Sequence, residues 1–168
     1  MTTSNVTVEF FDNVVKPTVD EYLARPEDIR RGRLAAIVLN HMVDYWCVDT
    51  LEKKEATHAA LRTDTPIPNH PGYWSVGIIR DLADASKHAN LERKSRTLTN
   101  AEQVEQHFIV VYGTAPYGTV AFGTQAPNDV QVTLDDGKSF ILSYVIRRVM
   151  EVWDQKQESF RAGPQALT

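Results

Sequence analysis

Residues 73–96 read YWSVGIIRDLADASKHANLERKSR, and the spacing of their apolar side chains decides how the rest of the chain is interpreted. At about 100° per residue in an α-helix, the apolar residues share one broad face and the polar residues share the opposite arc. The apolar face holds Val76, Ile78, Ile79, Leu82, Ala83, Ala85 and Ala89, and the polar arc holds Lys87, Arg80, Asp84, His88 and Asp81. The pattern predicts an amphipathic helix over about residues 73–88, with one side in the core.

The polar arc of this helix has two interpretations. A solvated or salt-bridged face is the simpler one, because every surface helix carries such an arc. The alternative is a catalytic site, in which Arg80 and Lys87 hold a phosphodiester while His88 moves a proton. Asp84 lies one turn from Arg80 and one turn from His88, so it is placed to orient either side chain. This arrangement suits the cleavage of RNA by attack of its own 2′-hydroxyl, a reaction that needs no metal ion and no cofactor.

The rest of the chain predicts three more helices and a small sheet. Apolar residues at helical spacing indicate helices over about residues 7–24, 26–54 and 142–160, and Pro17 is expected to kink or break the first of them near Lys16. Residues 106–141 contain β-branched and aromatic runs and an Asp136-Gly137 hairpin signal. Together these elements predict one α+β domain over residues 1–168, a four-helix bundle with a small antiparallel sheet before the last helix.

A polar group interrupts the apolar middle of the second predicted helix. Asn40, His41 and Asp44 lie within about one turn of each other, and a buried carboxylate there would need a partner. One interpretation is a structural polar cluster. The other is that one of these side chains supports the site by meeting Arg80 or His88 across a helix interface.

The composition of the chain limits the kinds of partner that we expect it to bind. The chain has 168 residues and a net charge of −4, with no apolar run long enough for a membrane span and no secretory signal pattern. We therefore expect a cytoplasmic protein with no membrane partner. The net charge argues against general attraction to nucleic acid but leaves room for local basic groups. These groups are Arg30, Arg31 and Arg33, near the start of the second helix, and Arg93, Lys94 and Arg96, after the third.

Each basic group has its own interpretation. The three arginines that begin with Arg30 either pair with acidic side chains such as Glu21 and Asp28 or face a phosphate-bearing partner. The group that begins with Arg93 would extend a phosphate-binding surface beside the polar arc. The aromatic side chains have two interpretations as well, either core and hairpin packing or a groove for bases. They are Tyr73, Trp74, Tyr112, Tyr117 and Phe122.

Other chemistries have little support in the sequence. Cys47 is the only cysteine, which excludes an internal disulfide, and its apolar neighbours predict a small buried residue. The histidines form no metal-ligand motif, and we assign His58, His70 and His107 to loops or the surface. There is no GxSxG motif and no glycine-rich phosphate loop.

The segment RDLADASKH, residues 80–88, resembles the arginine, polar residue and downstream histidine of the HEPN superfamily. Active HEPN proteins are metal-independent endoribonucleases of toxin and defence systems, and their helical bundles usually dimerise to form one composite site. The resemblance implies RNA as partner, a homodimer, and Arg80 and His88 as catalytic residues. Seven residues separate these two, a longer gap than is usual in the family. The chain is also similar to uncharacterised bacterial proteins with an FFDNVV-like opening and a DLA...KH helix followed by a hairpin. That resemblance brings no known activity with it.

Two functions of different class remain open at this point. The first is a HEPN-like, metal-independent endoribonuclease of a toxin or defence system. The second is a non-catalytic binding or assembly module that uses the same helical scaffold. The two differ in whether Arg80 and His88 line an open concave surface or are tied into salt bridges.

Overall fold

A computed structural model of the chain describes residues 5–88, 97–108 and 127–162. The helices are α1 (Val6–Phe10), α2 (Lys16–Leu23), α3 (Ile29–Thr50), α4 (Lys54–Asp64), α5 (Ser75–Lys87) and α6 (Leu142–Ala162), and a π-helical turn (Phe11–Val15) joins α1 to α2. The strands are β1 (Val104–Phe108), β2 (Pro127–Thr133) and β3 (Ser139–Ile141). The predicted α+β class, mainly helical with an antiparallel sheet before the last helix, is confirmed.

Helix α3 lies at the centre of the fold and contacts all five other helices. Its bounds are narrower than residues 26–54, and local hydrogen bonds explain both ends. At the start, the Asp28 carboxylate accepts a hydrogen bond from Arg31 N at 3.0 Å, so Asp28 is the N-cap. At the end, Leu51 adopts a left-handed φ of 61° and its N–H donates to the Cys47 carbonyl, which stops the helix at Thr50.

The π-helical turn lies immediately before the proline of the first helical segment. Pro17 has no N–H and its ring clashes with the preceding turn, so it cannot continue a regular α-helix behind it. The wider π turn over Phe11–Val15 accommodates this, and α2 then starts at Lys16. The break predicted near Lys16 is therefore confirmed as a π turn within one helical segment.

Helix α4 was not predicted from the sequence, where the second predicted helix ends at Lys54 and the next one begins at residue 73. Only Thr57 and Leu61 are buried on α4, so it lacks the repeated apolar residues that reveal a helix. The loop after it begins at Thr65, and Pro66 forms a bridge with Trp74 just before α5. The structure thus adds a helix that packs against α3, α5 and α6.

The sheet is antiparallel in the order β1-β2-β3. Val104 pairs with Val132, and Val132 pairs on its other side with Phe140. The Asp136-Gly137 hairpin is confirmed, with Gly137 at a φ of 82°. The strand residues predicted over 109–126 lie outside the described residues. The first strand begins at Val104, two residues earlier than predicted.

A hydrophobic core joins the helices to the sheet, and Asp129 adds a polar link between them. Its carboxylate accepts hydrogen bonds from Tyr22 Oη at 3.2 Å and from the Ser143 backbone and hydroxyl. Burial and this carboxylate raise the pKa of Tyr22 above its ordinary value. Asp129 therefore ties α2, β2 and the first turn of α6 together. Within residues 5–88, 97–108 and 127–162, no helix has the length and apolar character that a membrane crossing requires.

The left-handed end of α3 generates a test of stability. Leu51 is 88% exposed, so its side chain contributes little packing while its backbone is strained. Leu51→Gly is expected to raise the free energy of unfolding by about 0.5–1 kcal/mol, because glycine adopts positive φ freely. Denaturant unfolding of the two proteins measures the difference.

The matched control is Val48→Gly, because Val48 is 64% exposed but lies inside α3. The same new residue there should lower the free energy of unfolding by about 0.5 kcal/mol. Destabilisation by both substitutions would contradict the left-handed end at Leu51.

Candidate functional site

The amphipathic helix predicted around Arg80 is α5, and its apolar face is buried as expected. The buried residues of that face in the described chain are Val76, Ile78, Ile79, Leu82, Ala83 and Ala85, whereas Ala89 lies outside the described residues. One residue of the predicted polar arc departs from the pattern. Asp81 is only 1% exposed, so this carboxylate belongs to the interior.

Asp81 is buried because it holds two parts of the chain together. Its Oδ1 accepts hydrogen bonds from Arg80 Nε and Nη2, each at 3.3 Å. Its Oδ2 accepts from Thr97 N at 2.8 Å and from Thr97 Oγ1 at 2.9 Å. A buried carboxylate needs such partners, and a lone charge there would be destabilising. Asp81 therefore fixes the Arg80 guanidinium and the segment that leads to the sheet.

Arg80 and Arg62 line a single cleft between α4 and α5. The cleft has a volume of about 90 Å³, and Trp74, Tyr73 and Gly77 also form its wall. The Arg62 guanidinium carbon lies 5.4 Å from the centre of the Trp74 ring, a cation–π distance. At Gly77 an added Cβ would meet no atom within 4 Å, so the cleft is open on that side. Two permanent cations and the Asp81 carboxylate thus face a space large enough for about three water molecules.

The Tyr73 wall of the cleft is fixed by the β2–β3 hairpin. Tyr73 Oη donates to the Asp136 carboxylate and accepts from Lys138 Nζ at 3.0 Å. The Lys138 ammonium also lies 4.7 Å from the centre of the Tyr73 ring. Hydrogen bonds from Lys138 and Tyr73 hold the pKa of Asp136 well below its ordinary value. The hairpin therefore anchors the Tyr73 wall of the cleft.

His58 lies on a helix, which corrects its assignment to a loop. It is half-buried on α4, one helical turn before Arg62. Burial has the largest effect on the pKa of His58 and lowers it below its ordinary value. The positive charges of Arg80 and then of Arg62 lower this pKa further. The imidazole is therefore neutral near pH 7. The sequence interpretation missed it because it missed α4, and the i, i+4 spacing of His58 and Arg62 was the available signal.

The supporting residues of α3 do face the neighbouring helices, but with partners other than those hypothesised. Lys87 Nζ donates to His41 Nε2 at 2.8 Å, and burial followed by Lys87 lowers the pKa of His41. Asp44 pairs with Lys54 of α4 and not with Arg80. Asn40 is half-buried on the same helix.

His88 lies at the far end of α5 from the cleft. At a rise of about 1.5 Å per residue, it is about 12 Å along the helix axis from Arg80. Its backbone N–H donates to the Asp84 carbonyl at 2.9 Å, and its extended backbone, with a φ of −126°, ends the helix. His88 itself is exposed. Asp84 is half-buried, and its carbonyl is the last acceptor of α5. The described residues therefore bring Arg80 together with Arg62 at the cleft, whereas neither His58 nor His88 is among the residues that line it.

We use the name basic band for the cationic and imidazole side chains that join α3, α4 and α5. They are His41, Lys54, His58, Arg62, Arg80 and Lys87. Asp44 and Asp81 are the carboxylates paired with members of the band. The predicted substrate-binding residues Arg93, Lys94 and Arg96 lie outside the described residues, as do Tyr112, Tyr117 and Phe122.

The remaining candidates have structural partners or incomplete burial. Arg31 pairs with Asp28 at 3.5 Å, which confirms local pairing for that arginine, and Arg33 Nη2 donates to the Ala101 carbonyl at 2.7 Å. Cys47 is half-buried, with its Sγ atom 3.6 Å from Thr57 Oγ1, and so is less enclosed than predicted. Among the described residues, no three His, Cys, Asp or Glu side chains are grouped to hold a metal ion.

Comparisons with known proteins do not assign the chain. It matches no protein-family model, no curated protein and no solved structure. The HEPN resemblance therefore stays a prediction. The assignment of function rests on the cleft and the basic band.

The two neutral imidazoles generate a prediction about pH. In the unfolded chain their pKa returns to about 6.5, whereas in the folded chain both pKa values are lower. Below about pH 6.5 the unfolded chain therefore binds more protons, so the free energy of unfolding falls as the pH falls. Replacing both residues, His41→Gln and His58→Gln, should flatten this dependence between about pH 7.5 and 5.5. Denaturant unfolding at several pH values measures it, and an unchanged slope in the double variant would refute the assignment.

Proposed function

We propose that the chain binds RNA through the Arg62 and Arg80 guanidinium groups and cleaves it as a HEPN-like, metal-independent endoribonuclease. One observation carries the proposal: two arginines from different helices line the same open cleft. A guanidinium donates in a fork that matches phosphate oxygens, so two of them supply a site for one phosphodiester. The adjacent aromatic rings offer surfaces on which a base can stack.

The basic band extends this site beyond a single phosphate. Lys54 and Lys87 lie on either side of the α3 polar group and continue the positive charge along α4 and α5. A single strand that follows the band would meet cations at successive phosphates, with affinity that falls as salt rises. This local charge supports RNA as partner although the whole chain is acidic, at −4.

The wider context follows from the resemblance of residues 80–88. It supports the proposal of a role in a toxin or defence system of a bacterial cytoplasm. It also proposes a homodimer in which two α5 helices complete one composite site, with Arg80, Asp84, Lys87 and His88 contributing from each copy.

The second candidate is a non-catalytic binding or assembly module, and the Arg80 ion pair favours it. Arg80 is held by Asp81, which is almost fully buried, as a purely structural arginine would be. In that case the cleft recognises a phosphate-bearing or acidic partner without breaking a bond.

Arg62 gives the cleanest test of RNA binding, since it is exposed and has no ion pair within the described part of the chain. Arg62→Ala should weaken binding of a single-stranded RNA and reduce the slope of log affinity against log salt by about 1, as expected for a lost phosphate contact. Fluorescence anisotropy at several salt concentrations measures both. Arg148→Ala is the matched control, because Arg148 is a partly exposed arginine of α6 that pairs with Glu151 at 2.6 Å.

Cleavage by the same proteins in excess chelator separates the two functions. The endoribonuclease predicts cleavage by the wild-type chain and by Arg148→Ala, with large losses in Arg62→Ala and Arg80→Ala. Binding without any cleavage would refute the enzyme and support the binding module. Equal salt slopes in Arg62→Ala and the control would contradict the cleft as the site.

A further inference from the structure

We propose that Gly77 determines what the cleft accepts, because the absence of a side chain there leaves the space in which an RNA phosphate lies between Arg62 and Arg80. The inference rests on the proposed binding of RNA and adds a specificity-determining residue to it. It applies equally to an RNA that is cleaved and to one that is only recognised.

Gly77 lies where the fold of the described chain gives no reason for a glycine. It is the third residue of α5, and glycine within a helix is less favourable than alanine. Its backbone is not in the left-handed region, unlike that of Gly72 at a φ of 89° and Gly137 at 82°. A Cβ added at Gly77 would meet no atom of the described residues within 4 Å. Neither backbone conformation nor packing in this part of the chain therefore requires glycine here.

Gly32, the other glycine within a described helix, shows a structural requirement by contrast. A Cβ there would lie 2.7 Å from Leu142 Cδ2 and 3.1 Å from Tyr22 Cε2. These contacts are too short for a carbon atom, so the close approach of α2 and α6 to α3 requires a glycine. At Gly77 no such neighbour is found, and what the residue borders is the cleft.

The size of the cleft supplies the reason for Gly77. Gly77 lines it together with Arg62 and Arg80, around a volume of about 90 Å³. Because this space holds only about three water molecules, a group bound between the two guanidinium groups also meets the other walls. Asp81 is one of these walls, and its carboxylate already accepts hydrogen bonds from Arg80 and Thr97. A side chain at position 77 would therefore take up space that a phosphate needs.

The test introduces side chains of increasing size, Gly77→Ala and Gly77→Leu, in the full chain. Alanine favours the helix more than glycine does, so the midpoint of thermal unfolding should rise by about 1–4 °C in Gly77→Ala. Affinity for a single-stranded RNA, measured by fluorescence anisotropy, should nevertheless fall by about tenfold in Gly77→Ala and further in Gly77→Leu. Higher stability with weaker binding is a combination that a structural glycine would not produce.

A second readout identifies the lost contact as a phosphate. The slope of log affinity against log salt should decrease by about 1 in Gly77→Leu, as for loss of one phosphate from the cleft. Ala60→Leu is the control for added bulk, because Ala60 is exposed on α4 and is not among the residues that line the cleft. Its affinity and salt slope should equal those of the wild type.

The outcomes separate the inference from the function on which it rests. Affinities of both Gly77 variants within about threefold of wild type, together with weak binding by Arg62→Ala, would overturn the inference and leave RNA binding at the cleft standing. A lower thermal midpoint in Gly77→Ala, or an equal loss of affinity in Ala60→Leu, would also overturn it. A wild-type protein that binds no RNA would overturn both.

Discussion

Burial of the apolar surface of α3 is the constraint on which the rest of the structure depends. Its Ala35, Ala36, Leu39 and Met42 are at most 1% exposed, and no single neighbouring helix could cover all of them. The α1–α2 segment, α5 and α6 therefore pack around it, and α4 packs against its C-terminal part. Burial at about 25 cal/mol per Å² makes this packing the main source of stability. A polar group on the buried side of α3 must consequently find its partner on a neighbouring element.

The candidate site lies where that requirement is met. Asp44 and His41 leave α3 toward α4 and α5, and their partners there are the cations Lys54 and Lys87. Asp81 adds a buried negative charge that positions Arg80 at the cleft. Burial first, and then the neighbouring cations, hold the pKa of both imidazoles below its ordinary value. The cations of the cleft and the two neutral imidazoles therefore arise from one arrangement of three helices.

The sequence predicted the parts of the fold that local physics determines. The period of α5, the interruption before Pro17 and the turn at Gly137 each follow from side chains within a few residues. The burial of Asp81 did not, because it depends on Thr97, which is sixteen positions away. His58 was missed for a related reason, since α4 buries too few residues to show a helical period. The site is formed by contacts between helices, and short-range patterns in the sequence do not predict such contacts.

A titration followed by nuclear magnetic resonance tests the central claim most directly. The protein has three tryptophans, of which Trp74 lies at the cleft and Trp153 is fully buried in the core. A 2′-O-methyl RNA cannot be cleaved and can be added in steps while the indole and arginine side-chain N–H signals are recorded. Binding at the cleft predicts shifts of the Trp74, Arg62 and Arg80 signals with a common affinity, while Trp153 stays unchanged. Shifts elsewhere with these three signals unmoved, or no shift at all, would contradict the account.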